Sequence, residues 1–459
     1  LTFGIKVNDE KQTKLFSFFF MNAKQLIIGL FLFWGFLTSS NLHGQSSGYV
    51  NRIIASNSGK FEFSPPYADF ATVQSYNPQN GNVDVFNTIF TQSTQCVIVF
   101  EKMAYVAAQD SIIKFNLNTM QRVAAVKDSG LSQLAICKGR LVVSKQYPVS
   151  QHFVEVLDTA TLGVVAQVTG ISGDCGGIVL IQDTVYVAVN GGWMGTNGKL
   201  AVIDPATWSL VVEVDFGTDA VGIFNLYNYE GNLFAVSKSP YGVVGSGNIT
   251  GYLPFNRTFT NFHLSHTLSA GAGIDGNLLF VGMDNGIGSF NLNTLAVEDP
   301  SVVNDPGSSS FIYITSAVVD SMDHRIYTNI GDYATPGHCL VTNLVGDSLT
   351  SYATGIATDA VAIDYRMYPV GIADGSQPKE SATIYPNPVK DVLMVAWDGY
   401  AVETQLFISD ITGRILFTKS VEATPTTPVA VPCHALQPGT YLLTIQTSKS
   451  KIVKVFIKE

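Results

Sequence analysis

Residues 184–216 read TVYVAVNGGWMGTNGKLAVIDPATWSLVVEVDF. An apolar strand leads into a Gly-rich loop, a second strand ends on Asp204, and a short polar turn opens a third strand. The same plan returns at 104–126 (AYVAAQDSIIKFNLNTMQRVAAV), at 141–168 (LVVSKQYPVSQHFVEVLDTATLGVVAQV) and at 278–297 (LLFVGMDNGIGSFNLNTLAV). A further apolar strand precedes each unit, such as GIVLIQD at 177–183. The polar residue closing the middle strand falls at Asn116, Asp158, Asp204, Asn256 and Asn291, spaced 42, 46, 52 and 35 residues apart. A side-chain oxygen there can hold the following turn through the backbone N–H groups. Four strands recurring at roughly forty residues predict the blade of a β-propeller.

Complete units occupy 94–126, 132–168, 176–216, 224–264, 270–303 and 311–354. A further unit, 49–90, shows only three strands, and TDAVAIDYR at 358–366 would supply its missing innermost one. Strands from both ends would then close the ring and remove the free edges an open array exposes. An array of sandwiches is the competing architecture, and it leaves the two orphan segments unexplained. The fold class expected is all-β: a seven-bladed β-propeller over 45–370, followed by a small Ig-like β-sandwich.

Composition agrees with strands joined by tight turns: 14% of the 459 residues are charged and 41 are Gly. Net charge is −10, and residues 45–379 carry 15 Lys and Arg against 27 Asp and Glu. Such a surface offers no basic patch to displace counterions, which argues against nucleic acid as a partner. From Met21 the chain reads MNAKQLIIGLFLFWGFLTSSNLHGQ, a lysine, an apolar run and a small polar stretch. That is a secretory signal peptide, with a retained anchor helix as the alternative. Residues 1–44 are therefore an upstream extension plus signal, with the start at Met21. No cysteine precedes Cys96, which argues against a lipid-anchored N-terminus. The five cysteines (Cys96, Cys137, Cys175, Cys339, Cys433) form no CxxC pair, and buried free thiols are expected rather than a disulfide framework.

A second unit follows a linker at 371–383. YPNPVKD at 385–391 breaks any continuing strand, because Pro386 and Pro388 lack amide donors. Alternating strands then run through VLMVAWD, TQLFISD, RILFTKS, YLLTIQT and IVKVFIKE. Tyr385, Pro386, Asn387, Pro388, Gly413 of ISDITGRIL, and Gly439 and Tyr441 of LQPGTYLLTI make 384–459 closely resemble the type A C-terminal sorting domain of the type IX secretion system of Bacteroidetes. The resemblance implies the type IX secretion machinery as partner and a secreted or outer-surface location. An ordinary accessory Ig-like domain is the alternative.

GKLAVIDPATWSLVVEVDFG at 198–217, the segment 316–356 and the opening VNRIIASNSGKFEFSPPYADFATVQSYNPQNGNV resemble the YncE-type and DUF5074-type propellers of Bacteroidetes. Some of these are surface lipoproteins that capture cobalamin for a TonB-dependent transporter. The resemblance implies a corrinoid-like small molecule and a transporter partner, although this chain lacks the lipidated cysteine. Loops between the second and third strands would share one face with the connections between blades, and the long ones carry aromatics. Phe61, Phe63 and Tyr67, then Tyr147, Trp193, Tyr241 and Tyr333 sit in them. Phe63, Tyr67, Tyr147, Trp193, Tyr241 and Tyr333 are the candidate ligand-binding residues, a stacking surface for a ring-shaped ligand. The alternative is that each ring folds back as a lid.

Catalytic signals are weak. The histidines never fall into HxxxH or HExxH spacing, HLSH at 263–266 lies on an expected outer strand, and no GxSxG elbow occurs. GSGNITG at 245–251 reads as a flexible loop. The reading is an exported binder without catalytic residue, metal or cofactor. A hydrolase or lyase, or a glycan- or protein-adhesion module, stands as the alternative. N-terminal sequencing of the native protein should find Gln45 first; retention of Met21 would contradict the signal.

Overall fold

The second strands of the repeat explain the architecture. Met103–Ala108, Arg140–Lys145, Thr184–Val189, Asn232–Ser237 and Leu278–Met283 are each buried at every position after the first. A strand buried on both faces must lie in a sheet covered on both faces. The fourth strands, such as Gln121–Lys127 and Val164–Val168, are mostly exposed, so each sheet has a buried interior and a wet outer edge.

The structure is a computed structural model. It describes residues 48–62, 65–240, 242–367, 382–397, 403–410, 414–422, 428–446 and 451–459. The segment 1–44 read as extension and signal, and the segment read as linker up to residue 381, lie outside them. Two compact units divide the chain, Leu1–Tyr368 and Pro369–Glu459. Within the first, the described residues form seven four-stranded antiparallel sheets, giving a propeller-like all-β architecture. Six follow chain order, at 96–127, 131–168, 175–215, 223–264, 268–303 and 313–353. The remaining sheet joins Thr358–Met367 to Gly48–Asn57, Ala71–Tyr76 and Val83–Ile89.

The first strand of each sheet lies against the first strand of the next, and that of 313–353 lies against Thr358–Met367. Seven apolar cores fill the gaps between neighbouring sheets. One of them, with Ile53, Tyr76, Tyr327, Val341 and Ile363, joins the last sheet to the first. Across that gap Tyr76 and Tyr352 stack with ring centroids 3.8 Å apart and planes 8° from parallel.

The closing pair is antiparallel, with Ile53 opposite Ile363 and Ala55 opposite Val361. Asn57 anchors one end. Its Nδ2 donates to Thr72 Oγ1 and Gln74 Oε1, both at 3.0 Å, and its Oδ1 accepts from Thr358 Oγ1 at 2.7 Å. Close approach of first strands also demands glycine at 177. A Cβ there would stand 2.4 Å from the Phe224 carbonyl oxygen of the adjacent sheet.

The recurring Asp or Asn closes the turn between third and fourth strands in all seven sheets. Asn77, Asn116, Asp158, Asp204, Asn256, Asn291 and Asn343 each accept the backbone N–H two residues on, at 2.9–3.1 Å. Asn77 and Asn343 extend the five read from spacing alone. GSGNITG differs from its loop reading: Gly247–Leu253 is a strand, held by Asn248 Nδ2 donating to Thr250 Oγ1 at 2.9 Å and Thr250 donating to Asn261 Oδ1 at 2.7 Å.

The second unit has two sheets. Ala382–Tyr385, Val392–Trp397 and Val429–Pro432 form one; Ile415–Glu422, Glu403–Asp410, Gly439–Gln446 and Lys451–Lys458 form the other. Leu393, Val395 and Trp397 of the first pack with Leu406, Ile408, Leu443 and Phe456 of the second. Ala382–Tyr385 starts inside the segment read as linker. Val429–Pro432 went unread because Pro432 cannot donate to a ladder, but it lies on an edge strand, where that donor is dispensable.

A chain ending at Met367 should stay soluble and melt cooperatively, whereas one ending at Ala357 should aggregate. Equal melting temperatures for the two would contradict closure by Thr358–Met367.

Candidate functional site

Three long loops, 146–153, 190–198 and 238–246, leave the buried second strands of adjacent sheets. Among them lies a cavity of about 540 Å³, lined by Gln146, Asn190, Gly192, Met194, Gly195, Gly222, Phe224, Lys238, Ser239 and Pro240. Asn190 shapes its rim, its Oδ1 accepting the Gly192 N–H at 2.9 Å. Gly192 has φ of +72°, and a Cβ there would fall 2.2 Å from Asp174 Oδ2, so the turn requires glycine.

A neighbouring cavity of about 330 Å³, the inner channel, is lined by residues on or beside the inner strands of six sheets, among them Gln95, Gln133, Asn225, Ser269, Ser316 and Asp359. Phe224 and Lys238 border both cavities. A third space of about 320 Å³, with Thr267, Asn285, Tyr313 and Tyr333 in its wall, shares Ser269 and Ile314 with the channel.

Besides the Cys96 thiol, two ionisable groups stand in the channel wall, Lys238 and Asp359. Lys238 Nζ lies 3.4 Å from the centroid of the Phe224 ring, a cation–π contact. Burial pushes its pKa down to about 8, and among the described residues no carboxylate forms an ion pair with it. Asp359 accepts a hydrogen bond from the Ser58 hydroxyl, and burial pushes its carboxyl up to about 6. Charges held at such cost inside a cavity mark a candidate binding site.

The aromatics read from sequence distribute differently. Tyr147 is 83% exposed and Tyr67 38% exposed, and neither lines a described cavity. Tyr333 lines the third cavity, its ring 6.2 Å from Tyr313. Phe63, Tyr241 and the side chain of Trp193 lie outside the described residues. The chain neighbours of Tyr147, Trp193 and Tyr241, namely Gln146, Gly192, Met194 and Pro240, do line the largest of the three cavities. Sequence reading missed Phe224, Lys238 and Asp359. The one available signal was a charge at the inner end of an apolar strand, as in NLFAVSK.

Other reactive groups are structurally engaged. His266 Nδ1 lies 2.5 Å from Asp284 Oδ2, while His263 is exposed on the outer strand Thr258–Leu264. All five cysteines are free and buried. Burial raises the thiol of Cys96 to about 11 and those of Cys137 and Cys339 to about 12, which disfavours thiolate chemistry. Among the described residues no group of three or more His, Cys, Asp and Glu could hold a metal ion, and no helix is long and apolar enough to cross a membrane.

In the second unit the YPNP segment fastens the last strand. Asn387 Nδ2 donates to the Val455 carbonyl at 3.2 Å, and its Oδ1 accepts the Ile457 N–H at 2.8 Å. Val389 N–H then donates to Ile457 at 2.8 Å, and Glu459 N–H returns to Val389 at 3.0 Å. The Tyr441 ring stacks on Phe456 at 5.7 Å, and its hydroxyl donates to the Gln437 carbonyl at 2.8 Å. Gly439 opens that strand; Gly413 lies outside the described residues.

Residues 383–459 match the family model described as a secretion system C-terminal sorting domain. The second unit is thus a sorting domain of the type IX secretion system, and the protein is one exported by that route to the cell surface or medium. Among solved structures the chain is similar to Kuenenia stuttgartiensis hydrazine synthase, with 12% identity, TM-score 0.45, and 63% of this chain and 90% of that chain covered. It is similar to the extracellular domain of a hybrid two component system from B. thetaiotaomicron, with 11% identity, TM-score 0.47, and 90% and 57% covered. It is similar also to PorZ, a surface component of the type IX secretion system of Porphyromonas gingivalis, with 11% identity, TM-score 0.36, and 84% and 73% covered. Comparison with curated proteins found no match.

Removing a charge held in the channel should stabilise the fold. Asp359 binds fewer protons unfolded than folded between its ordinary value of 3.8 and about 6, so its contribution falls as pH rises through that window. Asp359→Asn should therefore raise stability at pH 7 by about 3 kcal/mol and leave it nearly unchanged at pH 4, read by denaturant titration at both values. In the tail, Asn387→Ala should cost about 1 kcal/mol of local stability and reduce the amount of protein reaching the medium, measured by immunoblot of culture fractions.

Proposed function

We propose that the protein is a seven-bladed β-propeller, spanning 45–370, that binds a small molecule at the cell surface or in the medium without catalysis. The type IX tail at 384–459 delivers it after a cleaved N-terminal signal. One observation carries the binding reading: the bases of three long aromatic-bearing loops meet around a cavity of about 540 Å³, within the size range of small-molecule sites. A purely structural ring has no need of long loops on only some of its blades. The resemblance to cobalamin-capturing propellers makes corrinoids the first ligands to assay, with a TonB-dependent transporter as the downstream partner; haem and glycans follow. A hydrolase or lyase reading would place its chemistry on Lys238 and Asp359, which belong to different sheets.

The loops are tested by a Trp193→Ala, Tyr241→Ala double variant, assayed against corrinoids, haem and glycans by calorimetry. Loss of two stacked rings should weaken binding about five- to a hundredfold. Unchanged affinity for whatever the parent binds, with the melting temperature retained, would reduce these loops to lids.

A further inference from the structure

We propose that the channel between the inner strands takes a zwitterionic ligand of the α-amino acid class, with its carboxylate on Lys238 and its ammonium on Asp359. This rests on the small-molecule reading and names the chemistry of the ligand. Lys238 directly follows the strand Asn232–Ser237 of the sheet at 223–264 and Asp359 comes from the sheet that closes the ring, yet both line the same cavity of about 330 Å³. No ion pair joins them, and neither has another charged partner among the described residues. Unlike charges facing one cavity without pairing match a ligand that carries both signs; a dicarboxylate or a diamine would leave one wall charge opposed by its own sign.

The rest of the wall fits the same ligand. Asn225 is committed, its Oδ1 accepting the Gly271 N–H at 2.9 Å, and the Ser316 hydroxyl donates to the Thr358 carbonyl at 2.6 Å. The Gln133 and Ser269 side chains carry no hydrogen bond among the described residues and face the cavity as neutral donors and acceptors. The Phe224 ring, already under the ammonium, supplies an apolar surface at the border with the larger cavity, where a side chain of the ligand would extend. Burial drives Lys238 and Asp359 each toward the neutral form, so a counter-charged ligand offsets the desolvation of both groups.

The test measures binding of the twenty standard L-amino acids to the exported chain by thermal shift and calorimetry. The tightest is then compared with its decarboxylated amine and its des-amino acid. The parent should prefer the amino acid over each analogue by about ten- to a hundredfold, the worth of one charge-assisted contact. Lys238→Met should bind the amino acid and its amine alike, and Asp359→Asn should bind the amino acid and its des-amino counterpart alike. Melting curves of both variants confirm their folding. Analogues that bind the parent as tightly as the amino acid, or substitutions that weaken all three compounds equally, overturn the assignment. A chain that ignores all twenty amino acids yet holds a corrinoid or glycan also overturns it and leaves the small-molecule reading standing; a chain that holds no small molecule removes both.

Discussion

The antiparallel pairing of Gly48–Asn57 with Thr358–Met367 is the contact on which the first unit depends. Each sheet needs a neighbour on both sides, because its second strand is apolar on both faces. Without the closing pair, the core holding Ile53, Tyr76 and Tyr352 would open to water, and two sheets would each lose one cover. Joining residues 301 apart, such as Asn57 and Thr358, costs about 5 kcal/mol in chain entropy. The ladder, the Asn57 hydrogen bonds and the Tyr76–Tyr352 stack offset that cost. The cavities inherit their shape from this closure, since Asp359 sits on the closing strand and Lys238 on a sheet that closure holds in place.

Much of this was legible in the sequence because burial on both faces writes an unbroken apolar run, and an Asx turn writes a polar residue at its end. Asn77 and Asn343 escaped notice because they stand in the first and last sheets, whose flanking strands depart most from the repeat. Gly247–Leu253 was obscured by Gly247, Asn248 and Gly251, residues of low strand propensity, while Asn248, Thr250 and Asn261 satisfy one another by side-chain hydrogen bonds. The site was less legible. An aromatic in a Gly-rich loop announces exposure, as Tyr147 shows, but which cavity its neighbours enclose depends on loops from other sheets. Lys238 and Asp359 look like ordinary solvated strand ends until six sheets bring them around one space.

The sorting unit shows the same economy at smaller scale. Pro386 and Pro388 release the segment from the sheet, and Asn387 between them uses both ends of its amide to grip residues 455 and 457. A motif that looks like punctuation in the sequence is a clasp in the fold, tying the first strand of one sheet to the last strand of the other.

Ring closure also sets a timetable. A ribosome adding about 5–20 residues each second would make Gly48–Asn57 wait some tens of seconds for Thr358–Met367. Through that interval the first strand has an unmet edge, and sheets already formed have no final neighbour. The first unit is consequently a late folder by geometry, unable to settle around its channel while its own end is unmade.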